Sequence, residues 1–211
     1  MNPSLLAQAI GGIPSSKSIV EFQSTCKISS HTLTIELLDF LIKNGIGNFS
    51  NSRVNFSAVD KLKVTLLALQ HGCELGLISS KLDWRDFEFF TTVILERTKY
   101  TCHTNIQTIK PRCQIDVVAI SRETALIVDC KHWKAMPTKS MIACANQQCN
   151  RAKIYMQKQK KLNVGIPLIV TLHDPSHTLV NKVPFVCIGR LPSFLDNFSF
   201  YEDQLYRVPR I

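Results

Sequence analysis

Two acids interrupt apolar runs that otherwise read as sheet strands. Asp116 lies inside Ile115-Asp-Val-Val-Ala-Ile120, and Asp129 and Lys131 close Leu126-Ile-Val-Asp-Cys-Lys131. Residues two apart on a strand share a face, so Asp129 and Lys131 project together while Cys130 points the other way. A tight turn at Ser121-Arg-Glu123 makes the runs antiparallel neighbours, bringing Asp116 to within ~5 Å or one diagonal step of Asp129. Two carboxylates that close are unfavourable in an interior unless a cation holds them, and hard oxygen ligands suit Mg²⁺ or Mn²⁺. Such an ion stabilises charge developing on a phosphate, while Lys131 can position water or neutralise that charge. The plainer alternative is an edge-strand ion pair between Asp129 and Lys131, with Asp116 solvated at a strand end.

A third acid comes from the element before the strands. Asp83 caps a helix over residues 84–97 with the apolar stripe Trp84, Phe87, Ile94 and Leu95. At about 100° per residue, Phe87, Leu95 and Glu88 fall at about 300°, 20° and 40° from Trp84, so Glu88 sits beside the buried stripe. The strands follow at 100–108, 113–120 and 124–131, then a long helix over 140–161 and strands at 167–172 and 183–188. A mixed sheet with helices packed against it results, in the α/β or α+β class.

Upstream, residues 1–30 read as a loosely ordered arm or one short helix. Residues 31–82 read as a helical subdomain: a helix ending at Asn44-Gly45, a turn or hairpin over 45–56, a helix begun by the capping-box-like Ser57-Ala-Val-Asp60, and a short helix over 74–82. Three short helices in this arrangement resemble a helix-turn-helix or winged-helix module. Residues 83–211 form the remaining domain.

Composition bounds the rest. Of 211 residues 45% are hydrophobic and 19% charged, which fits a globular chain of one domain or two small ones and excludes disordered, collagenous and coiled-coil classes. The longest apolar runs, 64–69 and 166–172, fall short of the ~18 residues a membrane span needs. The eight cysteines are scattered without a CxxC pair, and with no secretory signal they read as reduced thiols of a cytoplasmic protein. Lys and Arg total 25 against 16 Asp and Glu, a net charge of +9, so the partner is an anion, with nucleic acid foremost. Between Asp129 and Asp174 no acid occurs, while Lys131, Lys134, Lys139, Arg151, Lys153, Lys158, Lys160 and Lys161 supply eight cations. A basic helix there would follow a phosphate backbone, and Lys134, Lys139, Arg151, Lys153 and Lys158 are its candidate contacts.

Asp116, twelve intervening residues and Asp129-Cys130-Lys131, preceded by the helix bearing Glu88, resemble the PD-(D/E)xK nuclease superfamily, whose core is αβββαβ. Leu82-Asp-Trp-Arg-Asp-Phe-Glu88 and Val128-Asp-Cys-Lys-His-Trp133 are similar to archaeal restriction-endonuclease-like proteins related to the Mrr and Holliday-junction-resolvase groups. The resemblance covers about residues 33–190; Ile115 stands where the motif has Pro, and Asp129 where Glu is commoner. It implies that Asp116 and Asp129 ligate the metal, that the Cys130 carbonyl adds an oxygen, that Lys131 is the catalytic lysine, and that Glu88 is the acid of the first core helix. A glutamine on the helix after the lysine would face the site, with Gln147 favoured over Gln148. The implied activity is Mg²⁺- or Mn²⁺-dependent hydrolysis of double-stranded or branched DNA by a homodimer. The rival readings are a non-catalytic DNA-binding or regulatory protein on the same fold, and an RNA-processing nuclease.

Overall fold

A computed structural model of the protein describes residues 1–132 and 137–210. Trp133 and Lys134 of the sequence reading lie outside the described residues. The chain divides into two compact units, Met1–Asp83 and Trp84–Ile211.

In the first unit helices α1 (Pro3–Ile10), α2 (Ile19–Cys26), α3 (His31–Lys43), α4 (Ala58–Gln70) and α5 (Leu75–Ser79) accompany strands β1 (Ser16–Lys17), β2 (Asn48–Ser50) and β3 (Arg53–Asn55). The strands form an antiparallel sheet in the order β1-β3-β2. The β2–β3 hairpin turns on Asn51 and Ser52, both at positive φ (50° and 59°), the pair of left-handed conformations that matches strand twist. Residues 1–30 are not an arm. Leu6, Ala9, Ile10 and Phe22 are fully buried, and the Phe22 ring meets Phe56 at 5.5 Å. Their order comes from local capping that weak periodicity hides: Asn2 accepts from Ser4 N–H, and Ser18 and Glu21 form a reciprocal capping box on α2.

The second unit opens with α6 (Trp84–Arg97), then β4 (Thr101–Ile109), β5 (Arg112–Ser121), β6 (Thr124–Lys131), α7 (Thr138–Met156) and β7 (Val164–Thr171). It continues with β8 (Leu179–Val180), β9 (Val183–Cys187), α8 (Leu191–Asp196), α9 (Phe198–Tyr201) and β10 (Val208–Pro209). Among the described residues these strands form one seven-stranded mixed sheet, β4-β5-β6-β7-β9-β8, with β10 also paired to β7. The first three strands are antiparallel, whereas β6, β7 and β9 run parallel, as the α7 crossover requires. Strand β7 is buried along its whole length, so its apolar run is continuous rather than alternating. Its Pro167, which has no N–H, falls in the gap between the stretch paired with β10 and that paired with β9.

Helix α7 packs on the face that carries Ile127 and Ile169. Gly165 permits the close approach, since a Cβ there would lie 2.6 Å from the Met156 side chain. The helix ends at Met156 rather than continuing to 161, because Gln157–Lys161 brings no apolar residue to hold it on the sheet and the Asn163 N–H is drawn to the Glu123 carbonyl at 2.8 Å. Helix α6 packs Phe87, Phe90, Thr91 and Ile94 inward. Trp84, expected in that stripe, is 56% exposed at the helix start, with Arg85 over its ring at 5.0 Å.

Candidate active site

The C-terminal end of β6 supplies the centre. Asp129, only 3% exposed, accepts from Lys131 Nζ on Oδ2 at 2.8 Å and from Arg151 Nη1 on Oδ1 at 2.8 Å. The first contact follows from the shared strand face; the second comes from α7, one turn beyond Gln148. Gln148 is fully buried, donates through Nε2 to the Ile127 carbonyl at 2.6 Å and accepts from Arg151 Nη1 at 3.2 Å.

Asp116 enters from β5. The paired register of β5 and β6 runs from Ser121↔Thr124 to Val117↔Val128, which sets Asp116 opposite Asp129. Ile115 and Val118, three residues apart rather than two, both reach the cluster beneath α7, so strict alternation breaks at Asp116. Asn105, across on β4, has φ 51° at the same level. There the Asp116 carboxylate does what a ladder carbonyl would do, accepting the Cys130 N–H on Oδ2 at 2.8 Å.

Burial raises the Asp116 pKa, the Cys130 N–H bond opposes it, the Asp129 charge adds to it, and Lys131 and Arg151 offset part. Glu88, half-buried on α6, is pushed up to about 7 by burial first and then by the Asp116 and Asp129 charges, against Arg85 and Lys131. Acids from three elements thus share one neighbourhood with less positive charge than their ionisation calls for. Desolvation first and then the Asp116 charge push the Cys130 thiol well above the ordinary range, so the main-chain carbonyl is the oxygen this residue can offer. His132 packs edge-on against Phe87 at 5.5 Å.

Asp129 and Lys131 therefore pair directly, Asp116 bonds the main chain between them, and Glu88 lies within electrostatic reach of all three; two expectations need correction. Gln147 is exposed, and its neighbour Gln148 takes the inward position because it falls on the stripe of Met141, Ala145 and Ala152. Arg151, expected as a direct contact to the phosphate backbone, instead pairs with Asp129 inside the cluster. Lys139 and Lys153 are exposed on the far side of α7, at about 180° and about 140° from Gln148. Lys153 Nζ lies 5.9 Å from the Tyr206 ring, and Lys158 lies beyond the helix end. The sequence signal for Arg151 was its i+3 spacing from Gln148.

Among the described residues no group of three or more His, Cys, Asp and Glu side chains is gathered as a ready metal site. The donor chemistry nevertheless fits a hard divalent cation: carboxylate oxygens and a carbonyl, with two acids whose pKa values are raised by burial first and then by neighbouring carboxylates.

No family model matches the chain. No curated protein matches it either. Among solved structures it is similar to protein VC1899 from Vibrio cholerae, at 11% identity and a TM-score of 0.45, over 96% of this chain and 52% of that one. The chain spans about half the length of that protein, and a likeness this slight carries no functional argument.

Proposed function

We propose that the second unit is a metal-dependent nuclease of the PD-(D/E)xK type that hydrolyses phosphodiester bonds in DNA. The observation that carries the reading is the Asp129–Lys131 pair with Asp116 bonded to the main chain between them, beside which Glu88 and Asp116 are both raised in pKa. The chain order α6-β4-β5-β6-α7-β7 supports it, being the αβββαβ order of that superfamily. Asp116, Asp129, Glu88 and the Cys130 carbonyl would hold Mg²⁺ or Mn²⁺, which supplies stabilisation of phosphate charge and acidification of water. Lys131, fixed by Asp129, presents an ammonium to the substrate phosphate. Glu88, with a pKa of about 7, can hold or release a proton at its carboxyl near neutral pH. Gln148 ties α7 to the β6 main chain and keeps the cluster in place.

The first unit supports a role in binding. Helices α2 and α3 are joined by the four residues 27–30, followed by the β2–β3 hairpin, an order like that of a winged helix. The helix pair therefore begins earlier than residue 31. Duplex cleavage by one site per chain would require two copies, as in a C2 dimer.

A second reading, a DNA-binding module without catalysis, is favoured by one observation: both Asp129 oxygens already face cations. Labelled linear, supercoiled, single-stranded and four-way-junction DNA, and duplex RNA, incubated with Mg²⁺ or Mn²⁺ and with EDTA controls, separate the readings. Metal-dependent DNA products are expected. Products from RNA alone would make the protein an RNA nuclease; binding without cleavage of any substrate would favour the module.

A further inference from the structure

Asp129 is already paired with two cations. An ion binding this carboxylate must share or displace Lys131 at 2.8 Å and Arg151 at 2.8 Å, and a divalent charge at contact distance from a guanidinium is repulsive. Lys131 leaves the same strand two residues on, so its reach is confined to this edge. Arg151 stands differently. It comes from α7, its side chain is 19% exposed, and its other partner, the Gln148 amide oxygen at 3.2 Å, is neutral. Both contacts use Nη1, while Nε and Nη2 donate to no described residue. A guanidinium has five donors in a planar fork suited to two phosphate oxygens, and among the described residues the three on Nε and Nη2 have no hydrogen-bond partner.

We propose that Arg151 is a phosphate-capturing residue of this site, which neutralises Asp129 before metal binds and turns to a substrate phosphate when the ion takes its place. The inference rests on the nuclease reading and names the group that holds the substrate. The exchange keeps Asp129 compensated in both states: Lys131 and Arg151 in one, Lys131 and the ion in the other. Gln148, pinned to the Ile127 carbonyl at 2.6 Å, is the pivot on the same helix. The residue thus binds substrate only where metal is present.

Isothermal titration of Mn²⁺ into the full chain, wild type and Arg151→Met, without nucleic acid, tests the first half. The variant is expected to bind Mn²⁺ about tenfold more tightly, because a competing charge has gone. A purely structural arginine would leave affinity unchanged or weaken it, and either result overturns the proposal. Anisotropy of a labelled oligonucleotide with Ca²⁺ tests the second half; Arg151→Met is expected to bind about tenfold more weakly. Should Arg151→Met fail to fold, Arg151→Lys keeps the charge but not the fork, and oligonucleotide affinity equal to wild type would overturn the proposal. Mn²⁺ binding by neither wild type nor variant would instead remove the metal reading itself, and the proposal with it.

Discussion

Each unit buries a carboxylate, and the two treat it in opposite ways. Asp60, 7% exposed at the start of α4, accepts from the Ser57 N–H at 2.8 Å and the Ser57 hydroxyl at 2.7 Å, with Lys63 at 3.4 Å. Burial raises its pKa, but the bonds from Ser57 and the Gly47 N–H, with Lys63, outweigh burial and hold it below the ordinary value. In the second unit burial and like charges prevail, and Glu88 and Asp116 are pushed up. Asp60 draws main-chain and hydroxyl donors from Ser57 and Gly47, whereas acids from α6, β5 and β6 share Lys131, Arg151 and Arg85. Surplus buried charge of that kind marks a site, and satisfied buried charge marks structure. The whole units follow suit: seven cations against six acids in Met1–Asp83, a net of +1, and eighteen against ten in Trp84–Ile211, a net of +8. Attraction for a polyanion therefore resides mainly in the unit that holds the acid cluster.

The sharpest way to break this contrast is Asp129→Ala. It strands Lys131 and Arg151 and is expected to lower single-turnover cleavage at least ~10³-fold. It should also destabilise the second unit by about 3 kcal/mol, read by urea denaturation. A variant that unfolds like wild type would show that Asp129 anchors nothing. Asp60→Ala removes the N3 half of the α4 capping box instead, and should cost about 1 to 2 kcal/mol while leaving cleavage unchanged. Loss of cleavage in that variant would erase the distinction between the two acids.

Ionisation of Glu88 gives a smaller effect with a definite sign. Its folded pKa of about 7 lies above the ordinary 4.5, so its stabilising contribution is full below about pH 4.5 and is lost as the pH rises through about 7. Above that the ionised acid costs about 1 kcal/mol, after allowance for solvent screening of a half-buried group. Denaturation of Glu88→Gln should show a gain over wild type at pH 8 and none at pH 5. An equal gain at both values would detach the effect from charge. The smallest effect is expected from Lys153→Glu, on the outer face of α7. The salt slope of DNA binding should stay unchanged, and a fall of about one would place the phosphate backbone along that face.

Much of this was legible where local rules suffice. The apolar runs interrupted by Asp116 and Asp129 and the box at Ser57 and Asp60 need only neighbours in sequence, and the structure forms them. The order of residues 1–30 was missed although Ser18-Ile-Val-Glu21 carried the box signature, because the helices are short and their stripes narrow. Gln147 and Gln148 differ by one residue, and only the packing of α7 over β6 decides which faces inward. Arg151 read as a backbone-phosphate contact and its pairing with Asp129 was missed, because that partner lies 22 residues away on another element. Asp116 meets a main-chain N–H, which depends on where the ladder ends and not on any motif.

The most direct test of the central claim is cleavage of supercoiled DNA by wild type and Lys131→Ala, each with Mg²⁺ and with EDTA, after both are shown to fold and bind DNA. Wild type should nick or linearise the DNA only with the metal, and Lys131→Ala should bind without cutting. Cleavage that survives EDTA, or equal cleavage by the variant, would contradict the assignment of this cluster as the active site.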